Sequence, residues 1–201
     1  MRLFLRGEKG GKIMKAELKK ILSEHRIVAA LCNEDELDDL CLSNVKIAFI
    51  LCGDFKTLPD IASRIKKARI ISFVYIDFIE GLSTKEAAVD FVKYYTCADG
   101  IVTTKSNQVK RAHALGLLAV QRYFVFDTIA MYNIKKQMSL TNADAVEVLP
   151  GVINLVNRHL SSNGKDSLIV GGFINTQEDI ENAFKSGALA ITTSVPGLWY
   201  L

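Results

Sequence analysis

From Arg26 onward, short apolar runs alternate with longer segments in which apolar residues return every three to four positions. No other feature limits the fold as strongly. Eight runs can be counted, at 27–31, 45–51, 70–76, 100–103, 117–121, 145–149, 167–170 and 189–192. Most are continuous rather than alternating and are rich in β-branched residues, so both faces of each strand are covered, as in a parallel sheet enclosed by helices. Repeated strand–helix units of this kind build either a closed barrel or a doubly wound open sheet. The open sheet is the weaker choice, because no G-x-G-x-x-G follows the first run. A faint internal echo also favours the barrel: Ala98-Asp99 and Ala143-Asp144 each lead into a strand, and Gly116 and Gly187 each carry a helix directly into one. The expected fold is therefore a compact α/β, TIM-barrel-like (β/α)8 domain with a parallel closed sheet, shorter than the typical barrel of about 250 residues.

Helix-end signals agree with this division. Ser83-Thr84-Lys85-Glu86 and Thr176-Gln177-Glu178-Asp179 read as capping boxes, Ser106 as the cap of a third helix and Asp127 as the cap of a fourth over 128–138. Gly187 reads as a left-handed helix stop, and Trp199 as a packing residue. With 49% hydrophobic residues among 201, the chain can bury a core without staples. Cys32, Cys41, Cys52 and Cys97 contain no C-x-x-C pair, which points to a reducing, cytoplasmic setting. No apolar run reaches membrane length, so no membrane association is expected.

The formal charge of +3 is unevenly spread. Residues 1–20 hold seven basic side chains against Glu8 and Glu17, leaving the rest of the chain about −2. Residues 1–16 are accordingly read as a basic tail and 17–201 as one barrel domain. Residues 1–11 read equally as a native tail or as an extension ahead of Met14.

In a barrel, chemistry gathers where the strands end. Asp77, Lys105, Arg122 and Glu147 follow or close four of the runs and describe a mouth with both signs of charge. Gly171-Gly172 and Thr193-Ser194 end the last two, and glycine backbone with adjacent hydroxyls in that position suits a phosphate. Lys105 and Arg122 could neutralise such a ligand or pair with Asp77 and Glu147; the two carboxylates could accept from ligand hydroxyls or serve as acid and base. His25, His113 and His159 lie before the first strand or within helices and read as surface residues. No nucleophile motif or metal-ligand spacing is present, so neither a catalytic residue nor a metal site is assigned. Arg64, Lys66, Lys67 and Arg69 close a helix, where the dipole favours cations, and form a basic cluster entertained as an RNA contact, with Lys110-Arg111 and Lys135-Lys136 given no greater weight.

Five segments taken together, Asp77-Phe78-Ile79-Glu80-Gly81-Leu82, Gly100 through Asn107, Gln121 through Asp127, Glu147 through Gly151 and Gly171 through Ile174, resemble the glycerol uptake operon antiterminator regulatory proteins in order and spacing. The resemblance runs from about residue 17 to 199. It implies a non-enzymatic TIM-barrel-like regulator, without cofactor, that binds glycerol 3-phosphate and acts on the leader of messenger RNA. A homo-oligomer is compatible with it. On that reading Gly171, Gly172, Thr193 and Ser194 hold the phosphate, while Asp77, Lys105, Arg122 and Glu147 shape the glycerol side. One departure is Tyr75, where the family often carries His two residues ahead of the first Asp. The competing expectation is a sugar-phosphate isomerase or epimerase on the same scaffold, which fold alone does not separate from a regulator.

Overall fold

A computed structural model describes residues 10–82, 85–161 and 167–201, with the side chains of 10–14 and 139 left aside. Eight parallel strands close on themselves in sequence order, β1 beside β2 and finally β8 beside β1. They are β1 Ile27–Leu31, β2 Ile47–Ile50, β3 Ile71–Tyr75, β4 Gly100–Thr103, β5 Leu118–Phe124, β6 Ala145–Leu149, β7 Leu168–Gly171 and β8 Ala190–Thr193. The chain is a (β/α)8 barrel. Helix α1, Gly10–Glu24, precedes β1; α2 Leu37–Leu42, α3 Leu58–Lys67, α4 Ala87–Tyr95, α5 Ser106–Ala114, α6 Thr128–Leu140, α7 Asn154–Ser161 and α8 Gln177–Lys185 follow the first seven strands. A 3-10 turn at Pro196–Tyr200 stands where an eighth outer helix would lie, and it buries Trp199, whose indole N–H donates to the Thr193 carbonyl at 3.0 Å. The tail-to-barrel division placed at residue 16 falls inside α1.

Three boundary differences bear on the site. Strand β5 runs to Phe124, three residues past its expected end, which puts Arg122 within the strand and not after it. Strands β7 and β8 likewise end one residue later, at Gly171 and Thr193. Ser106 is not the cap of α5: Lys105 occupies that position, its N–H donates to Thr103 Oγ1 at 3.1 Å, and Ser106 Oγ instead accepts from Gln121 Nε2 at 3.0 Å. The capping box at Thr176 forms with Asp179, and Asp127 caps α6 by accepting from the Ala130 N–H. The box expected at Ser83-Thr84 lies outside the described residues.

Alternation along each strand divides the core. Inward residues, among them Val28, Ile47, Phe49, Phe73, Val120 and Ile169, fill the barrel, and outward ones pack under the helices in two further clusters. Leu18 and Leu22 of α1 enter the inner cluster, so α1 closes the end of the barrel where the strands begin. Each such buried leucine contributes about 1.5–3 kcal/mol. The repeated Ala-Asp step has a structural task here. Asp99 accepts from the Ser72 N–H at 3.1 Å and Asp144 from the Ala119 N–H at 2.8 Å, each satisfying a backbone donor near the start of the neighbouring strand.

Candidate functional site

All loops that leave a strand open at one end of a parallel barrel, and the expected site residues meet there. Arg122 and Glu147 are register partners on β5 and β6, and both point into the barrel. Their side chains are 4% and 1% exposed and form an ion pair, Arg122 Nε donating to Glu147 Oε2. The second Glu147 oxygen accepts from Thr192 Oγ1 at 2.6 Å. Beneath the guanidinium lies the Tyr75 ring, 4.1 Å from the arginine carbon to the ring centroid. Burial pushes the Tyr75 hydroxyl up from its ordinary value, opposed by Arg122 and reinforced by Asp77 and Glu147. One aromatic ring thus feels three of the expected charged residues.

The second charged pair is higher and wetter. Lys105 Nζ lies 3.2 Å from Asp77 Oδ1, with side chains 37% and 20% exposed, and Thr104 Oγ1 donates to Asp77 Oδ2 at 3.3 Å. The arrangement joins β3 to β4 across the rim. Each oxygen of Asp77 and of Glu147 thus accepts one hydrogen bond from a neighbouring side chain.

The two glycines work differently. A Cβ on Gly171 would stand 1.9 Å from Thr192 Oγ1 and 3.0 Å from Glu147 Oε1, so glycine leaves the space in which that hydrogen bond forms. Gly172 has φ +80 and Phe173 φ +61, which turns the chain sharply beyond β7. A bulky residue in that region is strained, and Phe173 is nonetheless 72% exposed. Thr193 faces the other way from the expected role. Its hydroxyl donates to the Ile174 carbonyl at 2.7 Å and accepts from the Val195 N–H at 3.2 Å, fastening the loop after β7 to the end of β8. Ser194 is exposed at the opening near Cys32, whose thiol burial and the nearby Glu36 push up from its ordinary value, opposed by Arg122 and Ser194.

Thr192 and Cys32 were not among the expected residues. Ala190, Thr192 and Ser194 share one face of β8, and Val28, Ala30 and Cys32 one face of β1, so period two along each strand carries the signal. The basic cluster divides. Arg64 pairs with Asp38 of α2 and Lys66 with Asp99, whereas Lys67 and Arg69 are exposed at the opposite end of the barrel. Among the described residues no group of three His, Cys, Asp or Glu side chains could hold a metal ion, and no helix is long and apolar enough to cross a membrane.

The profile of the glycerol-3-phosphate responsive antiterminator family matches residues 27–199, from the first strand to the buried tryptophan. The chain belongs to this family. Solved relatives include the glycerol uptake operon antiterminator regulatory protein of Listeria monocytogenes, 26% identical with a TM-score of 0.80 over 86% of this chain and 94% of that one. A glycerol uptake operon antiterminator-related protein of Thermotoga maritima is 32% identical, with a TM-score of 0.75 over 86% and 96%. YgcP of Escherichia coli K12, itself uncharacterized, is 34% identical over 184 residues, 92% of this chain and 96% of its own. Barrel aldolases and an epimerase at 12–16% identity share the fold alone with this chain.

Proposed function

We propose that this protein is a glycerol 3-phosphate-responsive regulator that binds the leader of messenger RNA for glycerol use and prevents early termination, acting in the cytoplasm without chemistry of its own. The observation that carries this reading is the state of the inner carboxylate. A general base must reach a substrate proton, and Glu147 is buried with both oxygens already accepting from Arg122 and Thr192. The same committed groups make a rigid, polar floor suited to recognising a ligand.

The ligand phosphate sits against Gly171-Gly172 and Ser194, where the backbone can approach closely, and Thr193 contributes by position because its hydroxyl is used by Ile174. Lys105 supplies a cation that can leave Asp77 for the phosphate, while Arg122 and Glu147 remain paired beneath the glycerol hydroxyls. Tyr75 takes the position where the family often has His and offers a hydroxyl to the same end of the ligand. Regulation further requires that glycerol 3-phosphate bind the RNA-competent state more tightly than the other, since equal affinity shifts nothing.

Parallel calorimetric titrations with glycerol 3-phosphate, glycerol and a pentose phosphate test this reading. Binding of glycerol 3-phosphate alone, with the ligand recovered unchanged, is the expected result. Preferential binding or conversion of the pentose phosphate would replace the regulator with a sugar-phosphate enzyme.

A further inference from the structure

We infer that RNA docks on the end of the barrel opposite the ligand opening, on a basic corner made by Lys46, Lys67 and Arg69 beside helix α1; the inference rests on the antiterminator reading given above. Charge separates the two ends. The described loops leaving β1, β2 and β3 carry Glu34, Asp35, Glu36, Asp54, Asp77, Glu80 and Glu86, against Lys56 and Lys85 as their cations. A polyanion approaching the opening meets this acidic wall. At the other end, the segments entering β2 and β3 place Lys46, Lys67 and Arg69 on the surface, all exposed.

These three form one corner. The Ile71 N–H donates to the Lys46 carbonyl at 2.9 Å, which sets the entry to β3 directly alongside the entry to β2. Ile47 and Ile71, the residues at which those strands begin, pack in the cluster that also receives Ile21 and Leu22 of α1.

The helix dipole does not account for the corner. It would favour Lys67 in the last turn of α3, but Lys46 enters a strand and lies in no helix. Arg69 is the more telling residue. It follows α3 with φ +62, its N–H donating to the Lys66 carbonyl and the Ile70 N–H to the Ile65 carbonyl, a helix ending at which glycine is the ordinary occupant. An arginine held there keeps a strained backbone that glycine would relieve, and what it adds is a charge at the surface. Arg64 and Lys66, by contrast, are engaged by Asp38 and Asp99, so the corner is narrower than the helix-end cluster and shifted toward β2.

The placement also gives the ligand a route to the RNA surface. Tyr75, under Arg122, belongs to the same inner cluster as Phe73, Phe49 and the α1 leucines, so one packed column runs from the ligand floor to the helix bordering the corner.

The test uses the full chain and the leader RNA transcribed in vitro from the host's glycerol-operon messages, followed by fluorescence anisotropy with and without glycerol 3-phosphate across a salt series. K46E/K67E/R69E should weaken RNA binding by at least about tenfold and flatten the salt dependence by about two to three phosphate contacts. Glycerol 3-phosphate binding by calorimetry should be unchanged, which also verifies folding. K46Q/K67Q/R69Q should weaken RNA binding to a lesser degree, and K56E/K85E at the opposite end should leave it within about threefold. Wild-type binding that survives K46E/K67E/R69E overturns this docking face and leaves the regulator reading intact. A wild-type chain that binds no leader RNA at low salt overturns both.

Discussion

Two ion pairs stand at one mouth and do different work. Arg122–Glu147 is buried, register-matched across neighbouring strands, covered by Thr192 and floored by Tyr75. Lys105–Asp77 joins two loop ends at the rim, with water on both partners. Desolvation makes the difference. A buried charge that loses its partner has nowhere to turn, whereas an exposed lysine exchanges a carboxylate for solvent or for another anion at small cost. The first pair is thus architecture that keeps a shape, and the second is the part of the mouth able to respond.

The largest expected effect breaks the inner pair. Glu147→Ala strands the Arg122 guanidinium and the Thr192 hydroxyl inside the barrel, and should destabilise the fold by about 3–5 kcal/mol in urea unfolding. A loss below about 1 kcal/mol would mean that water already reaches the pair and that the contrast between the two is false. Next comes Gly171→Ala, which tests the same pair through space. The added methyl would meet Thr192 Oγ1 at 1.9 Å, so either the Thr192–Glu147 bond opens or β7 shifts, for about 1–3 kcal/mol of stability. Wild-type stability in this variant would show that the hydrogen bond is not what requires glycine there.

This contrast was only partly legible in the sequence. The strands were, because eight apolar runs of β-branched residues separated by helix-period segments admit few folds, and even the Ala-Asp echo proved to be a repeated backbone-satisfying device. The four charged residues at the mouth were found by the rule that function gathers at strand ends. Their pairing was not: it depends on β5 continuing through Arg122, and polar residues at a strand end give no apolar signal to mark that continuation. Thr192 and Thr193 show a second limit. Adjacent residues of one type face opposite sides of a strand, and a one-residue error in the end of β8 exchanges the hydroxyl that holds Glu147 for the one that ties down Ile174. The left-handed Phe173 and Arg69 carry no local sequence mark at all, since glycine is the residue that announces such a backbone.

Lys105→Ala sharpens the comparison from the other side. Removing an exposed partner should change stability by less than about 1 kcal/mol. Glycerol 3-phosphate binding should nevertheless weaken by about tenfold or more if this lysine meets the phosphate, because a charge-assisted contact is lost. Thermal unfolding and calorimetry on one preparation read both quantities. A variant that loses stability but keeps its affinity would invert the roles assigned to the two pairs.

The smallest effect is read at Tyr75, the ring that senses both pairs. Burial, with Asp77 and Glu147, raises its pKa above the ordinary value near 10, and Arg122 opposes them. The native state therefore retains the phenolic proton longer than the unfolded chain does. Its contribution to stability is complete below pH 10 and is lost as pH rises from the unfolded pKa through the higher folded one. Asp77→Asn removes a negative neighbour and should move the Tyr75 transition toward lower pH, as read from the phenolate absorbance difference between each protein and its Tyr75→Phe counterpart. Lys105→Ala alone should move it the opposite way, so opposite shifts in the two variants would establish that the outer pair is felt at the floor of the mouth, and identical transitions in all three proteins would confine that pair to the rim.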